Sequence, residues 1–254
     1  MKGHFTTLKS ERGYVPVNSS PIRSDQFIGP PPYINLPRLR FHGVPYHLKQ
    51  RHRKAIYAVG KRGLDISVSI AILVAVLPLM AAIIVLIKAT SKGPVLFRQK
   101  RLGRNGVEFD CLKFRTMVVD ADDQLKSNPQ LHELFQRKFK LDDDPRITPL
   151  GRFLRRTSMD ELPQLIQVLQ GKMTLIGPRP IVQSEVEKYA IYADKLFSVT
   201  PGLSGLWQTC GRSDTTYPER VQLDMYYIDN RSLRFELQLM LLTVVTVLKR
   251  SGAC

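Results

Sequence analysis

Residues 66–87, ISVSIAILVAVLPLMAAIIVLI, form a run without a single charge. As a helix the run extends about 33 Å, enough to cross the hydrocarbon core of a bilayer. A helix apolar on all faces needs lipid or a protein interior around it. The surroundings narrow the choice. Lys49, Arg51, Arg53, Lys54, Lys61 and Arg62 precede the run, and Lys88, Lys92, Arg98, Lys100, Arg101 and Arg104 follow it. No acidic residue occurs between Asp65 and Glu108. Cytoplasmic flanks carry such an excess of Lys and Arg, and here both flanks have it. Pro78, near the middle, removes a backbone donor and collides with the preceding turn. A re-entrant helix broken at Pro78, entering and leaving on one face, satisfies both features. A simple spanning helix and a buried core helix are the alternatives.

The remaining charge is uneven. The 254 residues carry a formal +16, of which residues 1–62 hold +10. A basic arm on a body that carries only +6 points to a polyanionic surface, nucleic acid or anionic lipid. The paired flanks and the acid-free stretch favour anionic membrane lipid over nucleic acid as the expected partner. Cys111, Cys210 and Cys254 are too few and scattered for a disulfide framework and lack the spacing of a zinc site. All five histidines precede residue 133, so a site in the second half must use carboxylates, Lys and Arg. There is no P-loop, dinucleotide-binding glycine motif, zincin motif or serine-hydrolase elbow.

Along the chain, residues 1–48 with Pro30, Pro31 and Pro32 read as a flexible arm, mostly extended or disordered. Residues 93–117 predict two short strands about a turn at Asn105-Gly106. Residues 118–140 suit polar helix interrupted at Pro129, and Asp142-Asp143-Asp144-Pro145 reads as a turn. Leu162, Leu165, Ile166, Val168 and Leu169 recur at helical spacing, with Pro163 in the first turn and Gly171 past the end. Further helices are expected over 181–197, 217–230 and 235–248, with loop or short strand over 202–212.

Asp160-Glu161 at that helix start is the first chemical candidate. Carboxylates there are also ordinary N-terminal caps. As chemistry, an Asp can attack phosphorus to give an acyl phosphate, and Mg²⁺ takes one or two carboxylates together with phosphate oxygens. Gly177-Pro178-Arg179-Pro180 is the second: two prolines hold one Arg, the bidentate phosphate ligand, rigidly. Lys113 and Arg115 in K-F-R-T-M, Arg212 in C-G-R, and Asp224 before Tyr226-Tyr227 are weaker candidates, each equally readable as a surface charge or a helix-face salt bridge.

The ordered motifs K-R-G-L-D (61–65), G-P-V-L-F-R-Q-K-R-L-G (93–103), K-F-R-T-M (113–117), D-P-R-I-T-P-L-G-R-F-L-R-R-T-S-M-D-E-L-P-Q-L (144–165), L-I-G-P-R-P (175–180), P-G-L-S-G-L-W-Q (201–208) and D-M-Y-Y (224–227) resemble the bacterial sugar transferases. These are monotopic polyprenyl-phosphate phosphoglycosyl transferases, and the likeness is to the short members that prime exopolysaccharide with galactose- or glucose-1-phosphate. The resemblance implies transfer of hexose-1-phosphate from a UDP-hexose to polyprenyl (undecaprenyl) phosphate, with release of UMP. It implies Asp160 as nucleophile forming a covalent phosphosugar, and Glu161, with Asp160, as the Mg²⁺ ligands. Pro178, Arg179 and Pro180 would contact the nucleotide or its phosphates. Lys113, Arg115, Arg212 and Asp224 fall on motifs linked to the site. The implied fold is membrane-associated α+β: a re-entrant helix broken at Pro78 (49–92), then a cytosolic catalytic domain (93–254) with a small β-hairpin, mainly helical, carrying amphipathic interfacial helices. The implied location is the cytoplasmic face of a bacterial inner membrane, and a second copy of the chain is a candidate partner. Many relatives have Asn at Gln167 and Asp-Leu-Lys at Glu236-Leu237-Gln238.

Overall fold

The computed structural model describes residues 50–127, 133, 144–210 and 215–248. The expected arm, the expected interruption at Pro129, the Asp142-Asp143 pair and Arg212 lie outside them. Helix α1 spans Gln50–Thr90. It is the one helix among the described residues long and apolar enough to cross a membrane, and only 17% of its most apolar window is buried. Val74, Leu77 and Val85 are exposed, which argues against the core-helix alternative. Pro78 lies inside α1 without interrupting it. The break expected there is therefore absent from the helix itself. Proline deletes a single N–H, and contacts on both sides of it hold the turns in place.

Those contacts anchor both ends of the apolar run to one body. At the near end, Asp65 is buried and accepts hydrogen bonds from Thr174 Oγ1 at 2.5 Å and Leu175 N at 3.1 Å. Toward the far end, Met80, Ile83 and Ile87 are buried with Phe114 and Leu154. Beyond them, Arg115 donates to the Ser91 carbonyl and hydroxyl.

After α1 comes a hairpin, β1 (Leu96–Leu102) and β2 (Glu108–Phe114), paired antiparallel from Leu96↔Phe114 to Leu102↔Glu108. Its loop turns where expected, with Asn105 and Gly106 both at positive φ (59° and 70°). Helix α2 (Ala121–Ser127) follows. Helix α3 (Pro149–Arg156) has Thr148 as N-cap, accepting from Gly151 N, and Pro149 in its first turn. The 3₁₀ turn Met159–Glu161 leads into α4 (Gln164–Leu169), which ends before Gly171 at φ 77°. Strand β3 (Thr174–Ile176), which the sequence pattern does not announce, pairs parallel with β4 (Gly202–Ser204). The helix expected over 181–197 is fragmented: a 3₁₀ turn Gln183–Glu185, α5 (Val186–Tyr189), a second turn Ala190–Tyr192 and α6 (Ala193–Phe197). Ala190, at φ 45° and ψ −122°, breaks the helical path. The segment expected as loop or short strand begins with β4 and continues into helix α7 (Leu206–Cys210), and α8 (Tyr217–Asn230) and α9 (Leu233–Leu248) match their expected places. The main core joins β3, α4, α8 and α9 around Leu165, Val168, Met173, Leu223, Tyr227 and Leu239.

Leu154 is fully buried where α3 meets the far half of α1. Leu154→Ala should cost about 3 kcal/mol. A clear fall in the thermal midpoint of the detergent-solubilised protein checks it; an unchanged midpoint would mean that α1 is not seated there.

Candidate active site

The hairpin and the 3₁₀ turn bring three predicted residues together. Lys113, next to last in β2, donates from Nζ to Glu161 Oε1 at 2.6 Å. Arg179 NH1 lies 3.6 Å from the same oxygen. Glu161 Oε2 makes no hydrogen bond among the described residues. Lys113, Glu161 and Arg179 line a cleft with Arg101, Cys111, Gln164 and Gly202. Burial opposes ionisation of Glu161, but Lys113, Arg179 and Arg101 more than offset it and hold its pKa down to about 2.

Asp160 is only 7% exposed and is not among the residues lining the cleft. Burial pushes its pKa up to about 6; the Glu161 charge adds to this, and Lys113 and Arg155 oppose it. Ser158, at φ 56°, starts the turn in the left-handed region and directs successive carboxylates into these different environments. Met159 and Leu162, on either side of the dyad, pack against the apolar cluster that holds the far half of α1. The residues flanking the dyad therefore share one apolar cluster with the far half of α1.

Arg179 is held by its neighbours' backbone. The parallel ladder continues past β3: Gly177 N donates to Ser204 O at 2.8 Å and Gly202 N to Pro178 O at 2.7 Å. A Cβ on Gly202 would collide with Gly177 N, so glycine is required for this approach. Pro178 and Pro180 are buried while Arg179 is half-buried. Arg101 donates to Pro180 O at 2.9 Å.

Three predicted residues stand elsewhere or undescribed. Arg115 is engaged with Ser91 at the end of α1, outside the cleft. Asp224 is buried in α8; Tyr189 Oη donates to its Oδ2 at 2.7 Å, and burial raises its pKa to about 7 against the Tyr189 hydrogen bond and Arg220. That hydrogen bond ties Asp224 to α5, and Asp224 does not line the cleft. Arg212 lies outside the described residues. Sequence reasoning missed Arg101, Arg155 and Gln167. Arg101 was within reach, because the hairpin register places it, with Cys111 and Lys113, on alternate residues of one face. Cys111 is buried there, and burial raises its thiol pKa, so it is a neutral wall. Gln167, 1% exposed, accepts from Leu112 N at 2.9 Å and donates to Asp110 O at 2.5 Å. Its amide thus acts as a one-residue strand on the free edge of β2 and steadies Lys113.

A match to the bacterial sugar transferase model covers residues 56–250. The chain belongs to the bacterial sugar transferase family. Exopolysaccharide production protein ExoY of Sinorhizobium fredii is 40% identical over 204 residues, which are 79% of this chain and 90% of that protein. Undecaprenyl-phosphate galactose phosphotransferase of Salmonella typhimurium is 44% identical over 198 residues, 76% of this chain and 41% of that protein. A UDP-galactose-lipid carrier transferase of Erwinia amylovora is 41% identical over 197 residues, again 76% and 41%. The chain thus spans less than half the length of the last two and most of the first.

The carboxylates that this bacterial sugar transferase could offer a Mg²⁺ here are Asp160 and Glu161. Among the described residues there is no cluster of three or more His, Cys, Asp or Glu, so any such ion would draw its other ligands from substrate and water. Gln167→Leu should leave the Leu112 N–H unpaired and cost about 1–3 kcal/mol. A lowered thermal midpoint, with faster amide exchange over 110–113, is the expected result.

Proposed function

We propose that this chain transfers hexose-1-phosphate from a UDP-hexose, galactose or glucose, to polyprenyl (undecaprenyl) phosphate. UMP is released, in the first membrane step of exopolysaccharide repeat-unit assembly. The observation that carries the reading is the dyad: two consecutive carboxylates, one buried and near pKa 6, the other ionised beneath Lys113 and Arg179. Relatives named for UDP-galactose and undecaprenyl phosphate supply the substrates.

In the first half-reaction Asp160 bonds to the sugar-proximal phosphorus. The bond from that phosphorus to the bridging oxygen breaks, and UMP leaves with the oxygen and its electron pair. In the second, an oxygen of polyprenyl phosphate attacks the same phosphorus, and the bond to Asp160 breaks to restore its carboxylate. Asp160 performs both because it is ionised above about pH 6 yet poorly solvated. Arg179 is half-exposed, so its guanidinium can meet the donor's phosphates. Mg²⁺ held by Glu161 and Asp160 would offset diphosphate charge when bound. Arg155 approaches Asp160 from α3, where Leu154 packs on α1. That is the side from which a lipid-borne phosphate would arrive.

Insertion of α1 from one face fits the anchoring of both ends of its apolar run on one body. A rod crossing the bilayer would carry those ends to opposite sides. Basic flanks then add roughly 1 kcal/mol per residue near anionic headgroups. A cytosolic donor and a headgroup-level acceptor meet at the cytoplasmic face of the inner membrane.

A panel of UDP-sugars with polyprenyl phosphate in nanodiscs, read as UMP release, tests the function. UDP-galactose or UDP-glucose should turn over, and Asp160→Asn should lose about a thousandfold or more. Normal turnover by Asp160→Asn would exclude the nucleophile. Wild-type kcat/KM should fall about tenfold per unit below pH 6, as Asp160 protonates. Because Lys113 lowers the Asp160 pKa, Lys113→Met should move that limb upward; a limb that stays in place would refute the assignment.

A further inference from the structure

The motif Lys61-Arg62-Gly63-Leu64-Asp65 has no role in the chemistry above, yet its charged side chains reach the two segments that hold the chemistry. Arg62 NH1 and NH2 donate to Val168 O at 2.6 Å and Leu169 O at 2.7 Å. These are the last two carbonyls of α4, where the helical ladder runs out; Val168 O also accepts from Gly171 N at 3.0 Å. The other end of α4 follows directly from the dyad turn. Asp65 takes hold of β3 from the start, through Thr174 Oγ1 and Leu175 N. Lys61 holds its end, donating to Ile176 O at 3.0 Å. Three residues later stands Arg179.

Lys61 is itself fixed. It donates to Glu236 Oε2 at 2.6 Å, and Glu236 is fully buried in the first turn of α9. Tyr57 and Tyr227 each bring a hydroxyl to Glu236 Oε1, at 2.7 and 2.6 Å. Tyr227 Oη also lies 2.8 Å from Ile176 O. Two turns of the membrane-type helix therefore determine where α4 ends and where β3 runs. An apolar helix face would bury as much surface without fixing either backbone.

We propose that Lys61, Arg62 and Asp65 are positioning residues: a clamp on α1 that sets the placement of the Asp160-Glu161 dyad relative to Arg179. Seating α1 in a bilayer and assembling the donor site are thereby one event. The kinetic part of this proposal rests on the function proposed above; the geometric part does not.

The test uses the full chain in nanodiscs. Lys61→Met alone would leave Glu236 buried without its cation, so it is paired with Glu236→Gln, whose amide oxygen still accepts from both tyrosines. Arg62→Gln is the second variant. Thermal midpoint, amide exchange over 164–169 and 174–176, and UMP release against donor concentration are measured. The Lys61→Met/Glu236→Gln protein should melt near wild type, exchange faster at 174–176, and show a donor KM raised about tenfold. Arg62→Gln should exchange faster at 164–169 and lose about tenfold in kcat. Wild-type kinetics in both variants would overturn the positioning role, even with faster exchange, because the contacts would then serve stability alone. If the wild-type protein releases no UMP from any donor, the functional reading fails; exchange then decides the clamp, and unchanged exchange in both variants overturns it.

Discussion

A helix about 60 Å long, from Gln50 to Thr90, has both ends of its apolar run held by one body, and the rest of the molecule is arranged by that constraint. The near end is held by charge: Lys61, Arg62 and Asp65 bond to β3, α4 and α9. The far half is held by shape: Met80, Ile83 and Ile87 close on Phe114 and Leu154. Charges are strong where they meet directed partners in a dry setting, so they fix backbone. Apolar contact is non-directional, so it fixes the position of a layer. The dyad turn lies between these attachments, with Met159 and Leu162 in the apolar cluster and α4 in the polar clamp.

The same contrast separates the two carboxylates. Asp160 and Glu161 are chain neighbours with one chemistry, yet their pKa values diverge to about 6 and about 2. Burial acts on both; what differs is cation contact. Glu161 has Lys113 at 2.6 Å and Arg179 at 3.6 Å, whereas Asp160 feels its cations at longer range. One group is thus suited to remain charged throughout, and the other to carry a weakly solvated, reactive charge.

Much of this was legible in the residues, for reasons that differ by element. The apolar run, the Asn105-Gly106 turn and α8 rest on local signals: charge exclusion, left-handed residues, and a Pro-containing first turn with Glu219 bonded back to Thr216 N. The dyad and Arg179 were legible as motifs, but their meeting at Glu161 was not, because it depends on a hairpin 48 residues earlier. Strand β3 escaped notice because three residues, Thr174–Ile176, carry no period. The 181–197 segment has helical spacing, but Ala190 leaves the helical region and divides it. Pro78 suggests a break because proline costs a hydrogen bond; the helix is continuous around it, with tertiary contacts at Leu73, Val76, Met80 and Ile83. Arg115 sits in a motif beside Lys113, but the next residues leave β2, and its guanidinium turns to Ser91 instead of the cleft.

In the proposed function Asp160 carries the sugar phosphate covalently between donor and acceptor. Rapid quench of the protein with a UDP-hexose alone, followed by intact-mass and peptide mass spectrometry, tests it most directly. One hexose-phosphate is expected on the peptide containing Asp160, discharged when polyprenyl phosphate is supplied. UMP formation that requires the acceptor from the outset, with no adduct at any time of quench, would contradict it.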